Sequence, residues 1–444
     1  MKLEMKIISK EIIKPSSPTP SNLKALKLSI FDQMFPPYHF PMLLFYNAPT
    51  DATPLQITNL KSSLSHTLVQ FYPLAGRCID DGTVSCNDEG IPFIETQVNS
   101  SLTEFLALSN KLDYLTQLLP PQESLCPEAG LISDMVPLAI QINVFICGGV
   151  VIGCFMFHKL LDTSSLGTFF QYWAAKTTQR NHDAVYPIFD PIVKAFPPCP
   201  STDLIKPVDL PAKSCPFVVL VKSFRFTKTA INDLKVMAGT EVHPNPTSFE
   251  TVMGFVWESV VAAGCSALMA EYESVMKTTS LLVAINMRPR ANPPLPRNSM
   301  GNCVIEEVGN SKTQGTFPEL VGEIHSTICK AKSTIEAFQG VNAVEEIRED
   351  RMAKIQILLE GNPSTYHVSS LSNLGLNEAD FGFGKPNWII PTDGKMSMMD
   401  RNYIFLTDYY DLNGEGIEVW LFLEEKEMQV LETNPRFLKF ASPY

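Results

Sequence analysis

The sequence predicts a mixed α/β protein of two domains, and three observations carry that expectation. A chain of 444 residues exceeds what one hydrophobic core ordinarily serves. Strand-like and helix-like apolar patterns alternate along it without a strict βαβ rhythm. Residues 176–215 change character, polar at first and then rich in proline, with Phe196-Pro197-Pro198, Pro200, Pro207 and Pro211. That stretch is the best candidate for a crossover, which gives an N-terminal domain at 1–190, a linker at 191–215 and a C-terminal domain at 216–444.

The elements follow in chain order. Met1 to Ile13 interleaves Lys and Glu with Leu3, Met5 and Ile7, the alternation of a strand and not the apolar core of a signal peptide. Leu60, Leu64 and Leu68 recur at helical spacing before Phe71-Tyr72-Pro73-Leu74-Ala75-Gly76-Arg77, where Pro and Gly force a turn. Ser85 to Gly90 reads as a polar turn. Val136 to Phe157 is uncharged over a membrane-spanning length, but it contains Gln141, Asn143 and Gly148-Gly149, and its isoleucines alternate. Two strands joined by a glycine turn fit it better than a transmembrane helix. A helix is predicted from about Ser164, with Leu166, Phe169, Phe170 and Trp173 on one side. Further on come a strand at Val218 to Val221 and a helix over Pro246 to Gly264, capped by Thr247 or Ser248 with Glu250 close behind. A strand at Ile417 to Leu423 and an acidic helix from Glu424 close the chain.

Composition narrows the function classes. Hydrophobic residues make up 45% and charged residues 18%, which supports packed cores and argues against disorder. The net charge of −12 comes with no basic stripe for nucleic acid and no polybasic membrane anchor. None of the ten cysteines forms Cys-x-x-Cys, and no Cys/His cluster has zinc spacing, so no metal is expected. Cysteines in apolar runs, such as Cys147, Cys154 and Cys265, read as small hydrophobes in a reducing, cytoplasmic compartment.

The chemically informative segment is Phe155-Met156-Phe157-His158-Lys159-Leu160-Leu161-Asp162-Thr163-Ser164-Ser165. An apolar strand runs into a histidine and a helix begins within six residues, which holds the imidazole on a rigid element. Position alone leaves two readings open: a catalytic base, or a partly buried structural histidine. Asp162 precedes the helix and does not share a helical face with His158, so it is assigned a structural role ahead of a relay role.

These residues resemble the BAHD family of plant acyl-CoA-dependent acyltransferases, whose signature is His-x-x-x-Asp-Gly. The family's second signature, Asp-Phe-Gly-Trp-Gly, has its counterpart in Asp380-Phe381-Gly382-Phe383-Gly384. Further matches occur at Ile13 to Pro20, Leu28-Ser29-Ile30-Phe31-Asp32-Gln33, Phe71 to Arg77, Cys86 to Gly90, Asn286-Met287-Arg288-Pro289-Arg290 and Met300-Gly301-Asn302. The resemblance implies two chloramphenicol-acetyltransferase-like domains with a central channel that admits the CoA thioester on one side and the alcohol on the other. His158 is then the general base for direct transfer, without an acyl-enzyme. The resemblance also implies Arg288 as the partner of Asp162, although a solvated surface arginine is the bland reading. Ser369, Ser370 and Leu371 fall at the oxyanion or acceptor position. Asp380 holds its loop, with Gly382, Phe383 and Gly384 beside the cosubstrate. Ser248 and Asn302 are candidate CoA contacts, with a helix cap and a turn residue as the alternatives.

Three positions depart from the family pattern: Thr163 replaces glycine, and Phe383 and Leu371 replace tryptophans. The N-terminal block looks most like the branch that esterifies alkaloid alcohols. The expected activity is therefore acetyl-CoA-dependent O-acylation of a small-molecule alcohol by a cytoplasmic monomer, with no permanently bound cofactor. Two other readings stand beside it. One is a Ser-His-Asp or Cys-His hydrolase, which the absence of a Gly-x-Ser-x-Gly elbow disfavours. The other is a diverged member that binds an alkaloid and promotes cyclisation or elimination.

Overall fold

The structure is a computed structural model that describes residues 3–47, 54–126, 132–199, 218–267, 278–312, 315–360, 365–392, 402–411 and 414–444. The chain divides into two compact units. The first comprises Met1–Pro207, Leu295–Cys303 and Asn373–Met396; the second comprises Val208–Pro294, Val304–Ser372 and Ser397–Tyr444. Of the expected linker 191–215, positions 200–215 lie outside the described residues.

The first unit is built on a six-stranded sheet in the order 5–13, 91–98, 138–145, 150–157, 39–46, 388–390. The uncharged stretch 136–157 is an antiparallel hairpin, Leu138–Phe145 with Val150–Phe157. Its two interior polar residues are hydrogen-bonded through their amide nitrogens. Gln141 Nε2 donates to Gln117 O at 2.9 Å, and Asn143 Nδ2 donates to Leu118 O at 2.8 Å and Val151 O at 3.0 Å. Buried amides are tolerated when they are bonded in this way. Strand Trp388–Ile390 comes from far along the chain and pairs antiparallel with His39–Tyr46 at the sheet edge. The unit therefore includes the Asp380 loop, which sequence reading places in the C-terminal domain.

Helix Pro54–Gln70 packs on helix Thr163–Thr177 beside this sheet. Leu60, Leu64 and Leu68 are fully buried, each contributing roughly 1.5–3 kcal/mol. The Trp173 indole N–H bridges the two helices by donating to Leu60 O and Ser63 Oγ, both at 3.1 Å. Gly167 brings its helix against the carbonyl of Leu374 so closely that a Cβ would lie 1.9 Å from that oxygen.

The second unit carries a seven-stranded sheet in the order 304–312, 278–286, 365–370, 403–411, 414–424, 219–227, 442–443. Helices Ser248–Ala267 and Phe317–Phe338 pack together, and Phe255 meets Phe317 edge-on at 5.7 Å. Arg225 and Glu418 face each other on adjacent strands and form a buried ion pair with Nε–Oε2 at 3.2 Å. Among the described residues, no helix is long and apolar enough to cross a membrane. All nine described cysteines are free thiols.

Gly167→Ala tests the close approach. Helix propensity alone would favour alanine by about 1 kcal/mol, but overpacking against backbone costs about 1–3 kcal/mol and a carbonyl cannot swing away as a side chain can. Urea denaturation should show a net loss of stability.

Candidate active site

His158 follows directly on strand Val150–Phe157, every residue of which is buried. Its backbone is gripped on both sides. The N–H donates to Tyr38 O at 2.9 Å, and the carbonyl accepts from Asn302 Nδ2 at 2.8 Å. The imidazole lies flat on Phe35, with centroids 4.3 Å apart and planes 9° from parallel. Tyr38 stands at 5.3 Å and Phe40 edge-on at 6.1 Å, so three rings define its rotamer. The residue keeps partial exposure while Nδ1 is enclosed with no full hydrogen bond, which leaves Nε2 as the open nitrogen. Burial lowers the pKa of the ring, although its own carbonyl, Asp162 and the Asn302 side chain each favour the proton. A depressed pKa keeps the ring neutral near pH 7, the state a general base requires.

Asn302 links this histidine to a buried carboxylate. Its backbone N–H and Nδ2 both donate to Asp32 Oδ1, at 2.6 and 3.0 Å. Asp32 Oδ2 accepts from the Ser29 N–H at 2.9 Å and the Ser29 hydroxyl at 2.6 Å, the capping box of helix Ile30–Met34. Burial raises the Asp32 pKa, and these hydrogen bonds only partly offset it. Asn302 is fully buried, with both of its N–H donor groups occupied. It offers no surface for the CoA contact expected of it and acts as a positioning residue.

Asp162 caps helix Thr163–Thr177. Its Oδ1 accepts from Ser165 N at 2.8 Å, and its Oδ2 accepts from Cys303 N at 3.1 Å. Ser165 Oγ donates to Gly301 O at 3.0 Å and accepts from Gly301 N at 3.1 Å. The helix start thus holds segment 300–303, which carries Asn302. Thr163 occupies the first helical turn, where nothing requires the family's glycine. Lys159, almost without exposure, donates to Gln33 O at 3.0 Å and Phe35 O at 3.4 Å, and pairs with Asp81 at 3.4 Å. It draws the stretch bearing Phe35 toward the histidine. Sequence reasoning missed Phe35, Asp32 and Lys159 as site residues; the only signal was the matching block Leu28 to Gln33.

The second motif is organised locally. Asp380 Oδ1 accepts from Gly382 N at 2.8 Å and Gly384 N at 2.9 Å, and its Oδ2 meets Arg180 Nη2 at 3.0 Å. The two glycines have φ of +94° and +83°, values that side chains rarely tolerate. Phe381 packs on Trp173 at 4.7 Å, and the buried Phe383 lies against Tyr46 at 5.9 Å. The loop therefore attaches near the C-terminal end of a 15-residue helix, roughly 20 Å long, whose other end Asp162 caps. The Gly382 and Gly384 N–H groups are taken up by Asp380, which leaves neither for the cosubstrate contact expected there.

The other candidates lie in the second unit. Ser369 and Ser370 end strand Thr365–Ser370, partly exposed, and the buried Leu371 donates its N–H to Leu406 O at 2.8 Å. Arg288 is buried, not a surface residue; its N–H and Nη1 donate to Asn286 Oδ1 at 3.0 and 3.4 Å. Ser248 is the first residue of its helix and Thr247 is the cap. Thr247 Oγ1 accepts from Glu250 N at 3.2 Å, and Glu250 Oε2 accepts from Thr247 N at 2.7 Å.

Two mixed α/β units of this topology, one presenting a histidine at the end of a buried strand, define an acyltransferase of the chloramphenicol-acetyltransferase-like class. The sequence matches the Transferase family over residues 3–438, and the chain belongs to this family, the BAHD acyltransferases, which use acyl-CoA as cosubstrate. It is 34% identical over 439 residues to stemmadenine O-acetyltransferase of Catharanthus roseus, with 97% of each chain covered. It is 33% identical to vinorine synthase of Rauvolfia serpentina over 96% of each chain. The crystal structure of vinorine synthase resembles it with a TM-score of 0.81 over 99% of each chain. The structure of F. sporotrichioides TRI101 complexed with coenzyme A and T-2 has a TM-score of 0.69 at 16% identity, a likeness of fold.

Asp162→Ala removes a helix cap worth about 1 kcal/mol and leaves the buried Cys303 N–H without that acceptor at about 1–3 kcal/mol. Soluble yield and melting temperature are expected to fall, as thermal denaturation will show; a variant with unchanged stability and no activity would instead give Asp162 a part in the chemistry.

Proposed function

We propose that the protein transfers an acyl group, acetyl in the first instance, from coenzyme A to a hydroxyl of an alkaloid alcohol in one step, with His158 as general base. The observation that supports this most is the open Nε2 of a neutral ring whose other nitrogen is enclosed and whose plane is fixed by Phe35. The lone pair on Nε2 accepts the hydroxyl proton as the alcohol oxygen attacks the thioester carbonyl. The tetrahedral adduct then collapses with cleavage of the C–S bond, and the imidazolium returns its proton to the departing thiolate. Burial makes the imidazolium costly, so it is short-lived and a ready acid in the second half of the reaction. The rigid mounting holds the nitrogen at the reacting oxygen, which converts an encounter into an effectively intramolecular step. The choice of acetyl and of oxygen as the acceptor atom draws on relatives named as O-acetyltransferases.

A second reading draws on relatives named as synthases and on Leu371, which stands where the family's tryptophan is expected. In that reading the same base promotes a ring-forming step on a bound alkaloid. Free-thiol release from acetyl-CoA across a panel of alkaloid alcohols separates the two. Release that depends on the acceptor supports transfer to oxygen; a rearranged alkaloid without an ester product supports the second.

His158→Ala is expected to lower kcat by about two to four orders of magnitude in that assay, and near-native turnover would remove His158 from the chemistry. The acid limb of kcat/KM should fall below the ordinary histidine value of 6.5, because burial favours the neutral ring. The Asn302 side chain favours the protonated ring, so Asn302→Ala should move that limb to still lower pH.

A further inference from the structure

The second unit holds a cluster that the acyl-transfer chemistry does not use. His243, Glu250 and His325 each offer one ligand-type atom, and these atoms all lie within 4.8 Å of one another. His325 Nδ1 lies 2.8 Å from Glu250 Oε1, and His243 Nε2 lies 3.3 Å from Glu250 Oε2. The two ring centroids are 4.1 Å apart with planes inclined by 31°, and each ring contacts one oxygen of the same carboxylate. Three separate segments supply them: the connection that follows helix Lys228–Ala238, the first turn of helix Ser248–Ala267, and the middle of helix Phe317–Phe338.

We propose that His243, Glu250 and His325 bind a divalent transition-metal ion of the zinc class, with water completing a four-coordinate site. Ligands about 2.0–2.2 Å from such an ion stand roughly 3.3–3.5 Å from one another, so the His243–Glu250 separation of 3.3 Å already fits, and the His325–Glu250 hydrogen bond of 2.8 Å would have to open and give up its proton as the ion enters. Two imidazoles and one carboxylate are the donor set that such ions favour. The Glu250 side chain is nearly fully buried.

Supporting contacts orient the ligands as the outer contacts of a metal site do. Thr247 N fixes Glu250 Oε2 at 2.7 Å, and His325 turns its other nitrogen to Cys329 Sγ at 3.6 Å. His243 is set by a small ring of bonds with Thr240, N to Oγ1 at 3.0 Å and O from N at 3.1 Å. His325 is nearly half exposed, which gives the ion an entry side. An ion here would fasten the connection at 239–247 to two helices, a structural role distinct from the chemistry at His158. Spacing along the chain conceals the set, because Glu250 lies 7 residues from one histidine and 75 from the other.

The test uses the full chain, stripped with EDTA and titrated with Co2+ and then Zn2+. One equivalent of cobalt should produce the visible absorption of a four-coordinate nitrogen–oxygen site, and zinc should displace it. Zinc at a hundredfold excess over its Kd should raise the melting temperature by on the order of 5 °C. His243→Ala and His325→Ala should each abolish the cobalt band and weaken zinc binding roughly tenfold or more, whereas Cys329→Ser and His66→Ala should keep both. Glu250 is left intact because it also caps its helix. Each variant is melted with and without zinc, so the zinc-induced shift within one variant is the readout and any loss of intrinsic stability cancels. The proposal is overturned if the wild type shows no stoichiometric cobalt band, if binding persists in both histidine variants, or if Cys329→Ser removes it.

Discussion

The geometry of the first unit depends on one amide. Asn302 joins the carbonyl of His158 to the carboxylate of Asp32, and through them a strand end, a short helix and the 300–303 segment share one buried hydrogen-bond system. The donors of this system are paired, which matters because in a low-dielectric interior an unpaired donor costs more than a good bond contributes, whereas the Asn302 Oδ1 is left without a partner. The Asp32 carboxylate is fully engaged, with four donors around its two oxygens. The reward is positional: the backbone of residue 158 has no freedom to tilt, so the direction of the ring is decided before any ligand arrives.

The aromatic surroundings complete what the amide begins. Phe35, Tyr38 and Phe40 come from the single stretch 35–40, which the nearly buried Lys159 holds by the carbonyls of residues 33 and 35. A cation that close to a histidine would ordinarily discourage its protonation. Here the Lys159 charge is directed away, onto backbone oxygens and Asp81, while apolar packing does the work of keeping the imidazole neutral. The same residues therefore set both the place and the ionisation state of the ring.

Much of this was legible in the sequence, and the boundary is physical. Period and turn chemistry revealed the hairpin at 138–157, the helix that Asp162 caps and the leucine face of helix Pro54–Gln70, because local alternation and capping encode them. The capping box at 247–250 was narrowed to two serine/threonine candidates, and geometry selected Thr247. What stayed hidden depends on distant partners. Asp32 and Asn302 are 270 residues apart, and nothing in either neighbourhood announces the other. The histidines around Glu250 and the strand Trp388–Ile390 were hidden for the same reason, since a three-residue apolar run becomes a strand only when an open sheet edge receives it. Thr163 and Phe383 depart from the family pattern yet fit, one in a helix's first turn and the other against Tyr46.

That edge strand also bears on how the protein is made. Residues 388–390 complete a sheet whose other strands have all been synthesised by residue 157, and segment 295–303 likewise arrives late. At about 5–20 residues per second, the nascent first unit waits on the order of tens of seconds with the flank of its 39–46 strand unpaired. An uncovered hydrophobic β-edge is an invitation to sticking. Chaperone capture during synthesis is then expected to raise recovery of this chain from a foreign host.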